Sequence, residues 1–288
     1  MTTTIRRRPS DNVRASFVPA SLYARSVPEM VQAAARIAGV QLRPAFYSTP
    51  SSGRLKVQGN LGPFLLCGLR PLTFGALVGG GALVEVSSGG RTFIDGAAIP
   101  TRNEATTSFV RHPNDVRALE APVPVAAGGA LVVKRRDNQG DFLAHGFHVR
   151  DEDALARVLR HTGVAWARGV VTYGEPITVD RDVILRGIGS PLAAAATSYY
   201  VEVDGMRLTP GDIIVDPTSG GSLTSTLARS QPFATTADTA NGIPLPGIAC
   251  GSRFAIHAKP GARIYVRAAP LSSWPANVTP YITGVAAP

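Results

Sequence analysis

Turn-forming residues constrain the fold of this chain more than any other feature. The 288 residues include 30 glycines and 23 prolines, without the strict three-residue glycine period of a collagen. They separate short segments that are apolar or that alternate between apolar and polar side chains. Because glycine and proline interrupt helices but suit the tight turns between strands, this pattern predicts a mainly β chain. Hydrophobic residues make up 44% and charged residues 17%, which is enough to bury a core.

The strand-like segments fall into two groups with a helical segment between them, and the length suits two domains. The predicted regions are an extended basic N-terminal arm over 1–25, a helix and connector over 26–50, a first β-sandwich of jelly-roll type over 51–150, a linking helix over 151–168, and a second β-sandwich over 169–288.

Capping residues mark the two predicted helices. Ser26 and Asp151 are placed as N-caps, while Gly39 and Gly163 are placed to end the helices. Helical spacing predicts that each helix buries one apolar face. The expected buried residues are Val27, Met30, Ala34 and Ile37 in the first helix, and Ala154, Leu155, Val158 and Leu159 in the second.

Within the second group, Asp204-Gly205 predicts a tight hairpin, and 219–246 reads as a long exposed loop. Residues 124–146 and 260–284 also share an order of features: proline, small residues with glycine, an apolar strand with basic residues, and a last strand closing on glycine. This similarity indicates two related β-domains, or it is the chance recurrence of strand-turn-strand sequences in β proteins.

Positive charge is concentrated at two places in a chain of net charge +9. The candidate residues for assembly or nucleic-acid contact are Arg6, Arg7, Arg8, Arg14, Lys134, Arg135 and Arg136. A basic arm can bind nucleic acid or an acidic neighbouring subunit. Charges such as those at Lys134 also commonly stay solvated and protect a strand edge from mispairing.

No catalytic, metal or cofactor site is predicted, and the chain is not expected to be an enzyme. His145 and His148 are three residues apart, so on a strand they point to opposite faces and do not converge on a metal. The turn at 209–215 is similar to that of cupin barrels, but 165–208 contains no histidine to serve a cupin-like enzyme. Prolines, glycines and Arg70 interrupt the most apolar stretch, 61–86, so no membrane span is expected. No apolar run follows the first arginines, and we expect synthesis in a host cytoplasm.

The segment from Arg91 to Pro100, the turn and strand from Pro122 to Val133, and the last strand from Phe142 to Gly146 together resemble jelly-roll structural proteins of bacteriophage virions. The resemblance covers about 54–149. It implies a virion location, no active site, and partners that are copies of the chain and other virion proteins. The role would be a capsid shell, cement (decoration) or neck (collar) protein that assembles through its arm and loops. The alternative is a carbohydrate- or cell-surface-binding β-sandwich, with Tyr199, Tyr200 and Trp274 as an aromatic platform.

Overall fold

The residues that the structure describes form two helices and nineteen strands. This computed structural model describes residues 13–19, 27–49, 53–71, 82–99, 119, 121–135, 142–169, 174–190, 197–207, 213–215, 229–234, 252–268 and 281–288. The architecture is mainly β and consistent with a β-sandwich. The β-rich prediction from turn chemistry is therefore confirmed.

The second helix, α2, spans Glu152–Thr162 and has the predicted ends. An Asp151 side-chain oxygen accepts a hydrogen bond from the Ala154 amide at 2.8 Å, and the Gly163 amide donates to the Leu159 carbonyl. All four residues expected on its apolar face are buried. Local capping and helical spacing are enough to predict this helix.

The first helix, α1, spans Val27–Ala38, but its buried face differs in part from the prediction. The buried residues are Val27, Val31, Ala34 and Ala35. The expectation for Ile37 is wrong, because 73% of that residue is exposed. The helix packs against α2 and a strand of the first half, and these two neighbours select a face rotated from the predicted one. The proposed cap, Ser26, lies outside the described residues.

Nine described strands precede α2, and the first two lie in the regions predicted as an arm and a connector. They are β1 Val13–Pro19, β2 Arg43–Thr49, β3 Arg54–Lys56, β4 Phe64–Pro71, β5 Ala82–Ser88, β6 Arg91–Ile99, β7 Val123–Val125, β8 Ala130–Arg135 and β9 Phe142–His148, with one 3-10 turn over Gly59–Leu61. We call α1 with β2–β9 the first half of the chain. The strand β1 precedes it.

The strands after α2 are β10 Val164–Gly169, β11 Ile177–Thr178, β12 Val183–Ser190, β13 Thr197–Val203, β14 Met206–Arg207, β15 Ile213–Val215, β16 Arg229–Ala234, β17 Ser252–Ala258, β18 Arg263–Ala268 and β19 Tyr281–Ala286. With α2 they form the second half. The helix α2 ends at Thr162, so β10 occupies part of the segment 151–168 that was predicted as a linking helix, and β16 lies inside the segment predicted to be a loop.

Three sheets connect these strands in the part of the chain that the structure describes. A four-stranded sheet has the order β2-β9-β4-β7, and a second sheet has β11-β18-β13-β14, with β15 also paired to β13. The third sheet has the order β1-β17-β16-β12-β19-β10-β6-β5-β8-β3 and crosses from one half into the other. The strand β17 pairs with β12 as well.

The two halves pair their strands in the same sequence of steps. In each half the first strand pairs with the last, as β2 with β9 and β10 with β19. The next strand of each half pairs with the strand before the last, as β3 with β8 and β11 with β18. The third pairs with the last as well, and the fourth pairs with the strand that follows it. All these pairs are antiparallel.

Details of register repeat along with the pairing. The β4–β9 ladder shifts between Leu66 and Gly68, where Leu66 faces Gly146. The β12–β19 ladder shifts between Leu185 and Gly187, where Leu185 faces Gly284. Each third strand therefore carries one extra residue between a leucine and a glycine, opposite a glycine of the last strand. These matching bulges align the two halves residue by residue.

Other local features agree with that alignment. The Val57 amide donates to the Gly129 carbonyl in the first half, and the Val179 amide donates to the Ala262 carbonyl in the second, both at 2.9 Å. Two-residue hairpins join the fourth and fifth strands: Gly89-Gly90 between β5 and β6, and the predicted Asp204-Gly205 between β13 and β14. All four residues have positive φ, as hairpins of the I′ type require.

The buried core runs through both halves. Side chains alternate between buried and half-buried along β9, whereas all six residues of β19 are buried. The largest fully buried side chains include Trp166, Tyr281 and Phe64. Among the described residues, neither helix is long and apolar enough to cross a bilayer.

Candidate functional site

The two halves meet at a seam where β6 and β10 lie side by side. The strand β6 of the first half pairs in parallel with β10 of the second, with Ile94 beside Ala167 and Asp95 beside Arg168. The Ala165 amide also donates to the Pro122 carbonyl at 3.0 Å. The halves therefore share a sheet through main-chain hydrogen bonds.

Arg168 carries the side-chain part of this seam. Its guanidinium donates to the carbonyls of Phe93 and Thr92 at 3.0 and 3.1 Å, and it lies 3.6 Å from a carboxylate oxygen of Asp180. It also lies over the ring of buried Trp166, whose indole N–H donates to Asp180. Burial lowers the pKa of Arg168 and the Asp180 charge raises it, and an arginine keeps its charge throughout the physiological range. Arg168 thus places a permanent positive charge at the seam and donates hydrogen bonds to two carbonyls of the first half.

The predicted basic arm is described in part. Residues 13–19 form β1, which pairs antiparallel with β17 over its whole length and lies at the end of the ten-stranded sheet. Arg14 lies opposite His257 in this register. Arg6, Arg7 and Arg8 lie outside the described residues. The segment predicted as an arm therefore includes a strand that pairs with the second half.

The second predicted basic cluster lies far along the same sheet. Lys134 is exposed and its ammonium lies 3.6 Å from Glu85, while Arg135 ends β8 opposite Val84. Arg136 lies outside the described residues. Seven strands separate β8 from β1 in the sheet order, so the structure does not bring Lys134 and Arg14 together.

The two neighbouring histidines lie on opposite faces of β9, as the strand period predicts. His148 is buried, and its ring nitrogens contact the Gly62 carbonyl at 2.9 Å and the Tyr47 hydroxyl at 2.5 Å. The Nδ1–H donates to the carbonyl, so Nε2 accepts from the tyrosine. His145 is half-buried beside Gly68 and near Phe46, and burial lowers its pKa. His148 thus acts in packing, and no third ligand joins either ring among the described residues.

One cationic and aromatic surface was missed at the sequence level. On β18, Ile264 and Val266 are buried, whereas Arg263, Tyr265 and Arg267 alternate with them on the other face. The two guanidinium carbons lie 5.8 and 4.7 Å from the centre of the Tyr265 ring. Arg267 also donates to a carboxylate oxygen of Glu202 at 3.2 Å. The Arg-x-Tyr-x-Arg alternation was the available signal.

The described residues include only part of the predicted aromatic platform. Tyr199 and Tyr200 lie on β13, opposite Ala268 and Arg267, and only their backbone is described. Trp274 lies outside the described residues. Trp166 is buried in the seam and offers no exposed ring.

An open cavity of about 610 Å³ lies where α2, β12, β17 and β19 meet. Its charged and polar lining includes Arg160, His161, Asp182, His257 and Lys259. Cations and an anion line it together, and these side chains are exposed. The cavity therefore has mixed charge.

Two further kinds of site were considered among the described residues: a metal-binding cluster and a reactive cysteine. No three histidine, cysteine, aspartate or glutamate side chains there lie close enough to share a metal ion. Cys67 is buried, and burial raises the pKa of its thiol, which disfavours the reactive thiolate.

No protein-family model matches the chain, and no curated protein matches it.

Proposed function

We propose that each half of the chain is a jelly roll and that the protein is a structural component of a virus particle. It would serve as a shell, cement or neck protein that assembles with copies of itself. The repeated order of strand pairing is the observation that carries this proposal.

A jelly roll is one long antiparallel hairpin rolled into two sheets. Its eight strands pair first with eighth, second with seventh, third with sixth and fourth with fifth, and the rolling adds third with eighth and fourth with seventh. The strands β2–β9 have all six of these pairs. This order supports a jelly roll in the first half.

The second half supports the same reading with two local additions. Two strands, β16 and β17, take the place of the sixth strand by pairing with β12, and β14 with β15 takes the place of the fifth by pairing with β13. The remaining pairs follow the same order. Jelly rolls build viral capsids, lectins and cupins.

Two further observations favour the capsid-type role among these three. The seam at Arg168 packs one half beside the other through shared strands and carbonyl contacts, as neighbouring units of an assembly would. The strand β1 reaches from before the first half to the edge of the second. Such an arm suits contacts between copies.

A defined multimer is the expected form of the purified full-length chain. Sedimentation velocity and negative-stain electron microscopy test this, together with a variant lacking residues 1–19. The deletion should abolish the defined multimer while the far-ultraviolet circular dichroism stays that of a β protein. A monomer at high concentration, unchanged by the deletion, contradicts the proposal.

A second test uses the genome. A coding sequence that lies among packaging and portal genes supports the virion role, because genes for particle assembly are commonly grouped. A position among genes for glycan metabolism argues against it.

A glycan-binding module is the second candidate function, and the surface of Arg263, Tyr265 and Arg267 favours it. An aromatic ring beside two guanidinium groups suits an acidic sugar. Binding of an acidic polysaccharide, measured by calorimetry, should weaken at least tenfold in Tyr265→Ala if this function holds. Lys134→Ala is the matched control, because it removes a cation from the aligned strand of the other half.

A further inference from the structure

We propose that the open cavity beside α2 binds a small phosphate-bearing ligand, such as an oligophosphate or a phosphate ester, through the basic side chains that surround it. We call this cavity, of about 610 Å³, the α2 cavity. The inference goes beyond the proposed virion role and does not depend on it.

Strand register places the floor of the α2 cavity on one face of the ten-stranded sheet. Val285 of β19 lies opposite Ile184 of β12, and Ile184 lies opposite His257 of β17. Directly opposed residues on neighbouring strands project to the same face. All three residues line the cavity. The floor is therefore apolar toward β19 and ends in an imidazole toward β17.

Basic side chains reach this floor from two elements. Arg160 and His161 lie in the last turn of α2, while His257 and Lys259 lie at the end of β17 and just after it. Arginine and lysine are charged at neutral pH, and an imidazole offers one N–H donor even when it is neutral. Among the described lining residues, Asp182 supplies the only carboxylate side chain. Basic groups therefore outnumber acidic ones around the cavity.

These four basic side chains are also unpaired. Within the part of the chain that the structure describes, none of them has a hydrogen bond or an ion pair. On the same helix, by contrast, Arg157 pairs with Asp153 at 3.3 Å. The four residues of the cavity are exposed, so a ligand can reach them from solvent. The α2 cavity thus combines an apolar floor with basic groups that are available to an anion.

Phosphate is the ligand chemistry that fits this set best. Several cations around one cavity favour a ligand with several negative charges, and phosphate oxygens accept charge-assisted hydrogen bonds from arginine and lysine. The volume of about 610 Å³ exceeds that of one phosphate group, since even a water molecule occupies only about 30 Å³ of liquid. The apolar floor beside Val285 suits an organic group attached to the phosphate.

Calorimetric titration of the purified full-length chain with sodium tripolyphosphate, at physiological ionic strength, tests the site. The variant Arg160→Gln/Lys259→Gln should weaken binding at least about tenfold, because a single hydrogen bond to a charged group contributes that much. Both residues are exposed, so the variant should keep the far-ultraviolet circular dichroism and melting temperature of the original chain.

The matched control is Arg54→Gln/Lys56→Gln. It removes the same two residue types from exposed positions on β3, which lies at the other end of the ten-stranded sheet from β17. Because salt screens charges that are more than about 8 Å apart, this control should weaken binding less than about twofold.

Asp182→Asn should change the affinity in the opposite direction. It removes the carboxylate from the described lining, so tripolyphosphate should bind at least about twofold more tightly when this repulsion is lost. A substitution that only disturbed the fold would not tighten binding.

Three results overturn the proposal. The first is no binding of tripolyphosphate at millimolar concentration. The second is equal weakening by the two double variants, which would show attraction to the basic chain as a whole. The third comes from titration with a short single-stranded oligonucleotide. If it binds more tightly than tripolyphosphate and depends equally on Arg160 and Lys259, the site takes a nucleic-acid backbone instead of a small ligand.

Discussion

The two halves share one pairing scheme but use corresponding positions for different purposes. When the halves are aligned by their bulges, Tyr47 of β2 corresponds to Arg168 of β10, since they face Ala144 and Ile282, each two residues before the aligned glycine. Tyr47 turns to His148 within its own half, whereas Arg168 bonds to the other half. The two halves thus share one order of strand pairing. They differ in the side chain at the equivalent position of the first strand, which contacts its own half in one case and the other half in the second.

The edges differ in the same way. In the first half β6 is a single strand, and its free edge receives β10. In the second half two short strands, β14 and β15, replace the single fifth strand and pair with β13. The outer edge of β17 in the same half pairs with β1. Differences between the halves therefore concentrate where a half meets another strand or another part of the chain.

Substitutions at the two aligned glycines, Gly146 and Gly284, test the shared pairing order and should have the largest effects on stability. A Cβ at Gly146 would lie 1.9 Å from the Leu65 carbonyl oxygen, and one at Gly284 would lie 2.5 Å from that of Ile184. Because both obstacles are backbone atoms of a paired strand, Gly146→Ala should cost about 3 kcal/mol of unfolding free energy and Gly284→Ala about 2. Urea denaturation measures both.

Gly59→Ala provides the control for this pair. A Cβ at Gly59 would meet nothing closer than 3.5 Å. Apart from the difference in backbone propensity between glycine and alanine, the substitution should therefore change the free energy of unfolding by less than about 0.5 kcal/mol. Equal, small effects at all three glycines would contradict the proposed equivalence of the bulges.

Substitutions at Arg168 and Tyr47 sharpen the contrast at the first strand. Arg168→Met removes the donors to Thr92 and Phe93 and leaves Asp180 with less compensation, so it should cost about 2–3 kcal/mol. Tyr47→Phe removes one hydrogen bond to buried His148 and should cost about 1 kcal/mol. Thermal and urea unfolding give both values.

Arg91→Met is the matched control for the seam. Its guanidinium donates to the Ala287 carbonyl from an exposed position at 3.3 Å, so the loss should be below about 0.5 kcal/mol. A seam role for Arg168 is rejected if its substitution costs no more than this control.

Lys134 and Arg267 form the pair with the smallest expected effects. Both lie on the strand before the last, one residue after Val133 and Val266, which face Val86 and Val201. The Lys134 side chain is 61% exposed beside Glu85, so Lys134→Ala should change stability by less than about 0.5 kcal/mol. Arg267 is 29% exposed and contacts both Glu202 and Tyr265, so Arg267→Ala should cost about 1 kcal/mol.

Salt separates the two origins of this last effect. The ion-pair part of the Arg267 contribution should shrink in 1 M salt, while the ring contact persists. Equal stabilities for Lys134→Ala and Arg267→Ala at low salt would show that the two aligned positions are energetically alike.

Features that depend on neighbouring residues in the chain were predicted well. The cap at Asp151, the buried face of α2 and the Asp204-Gly205 hairpin follow from local geometry. Features that depend on distant partners were not predicted. Ile37 is exposed because α2 and β4 select another face of α1.

The candidate sites divide along the same line. Opposite faces for His145 and His148 follow from the strand period alone. The role of Arg168 required knowing which strand lies beside β10, and sequence separation hides that neighbour.

Taken by itself, the sequence determined the β-rich class, many of the turns and the ends of α2, because backbone preferences of glycine, proline and capping residues act over a few residues. The tertiary structure decided which strands pair. It placed β16, with its central Pro232, beside β12 and β17, and it set β10 against β6. Pairing joins residues far apart in the chain, and its free energy comes from buried contacts and main-chain hydrogen bonds that local sequence does not encode.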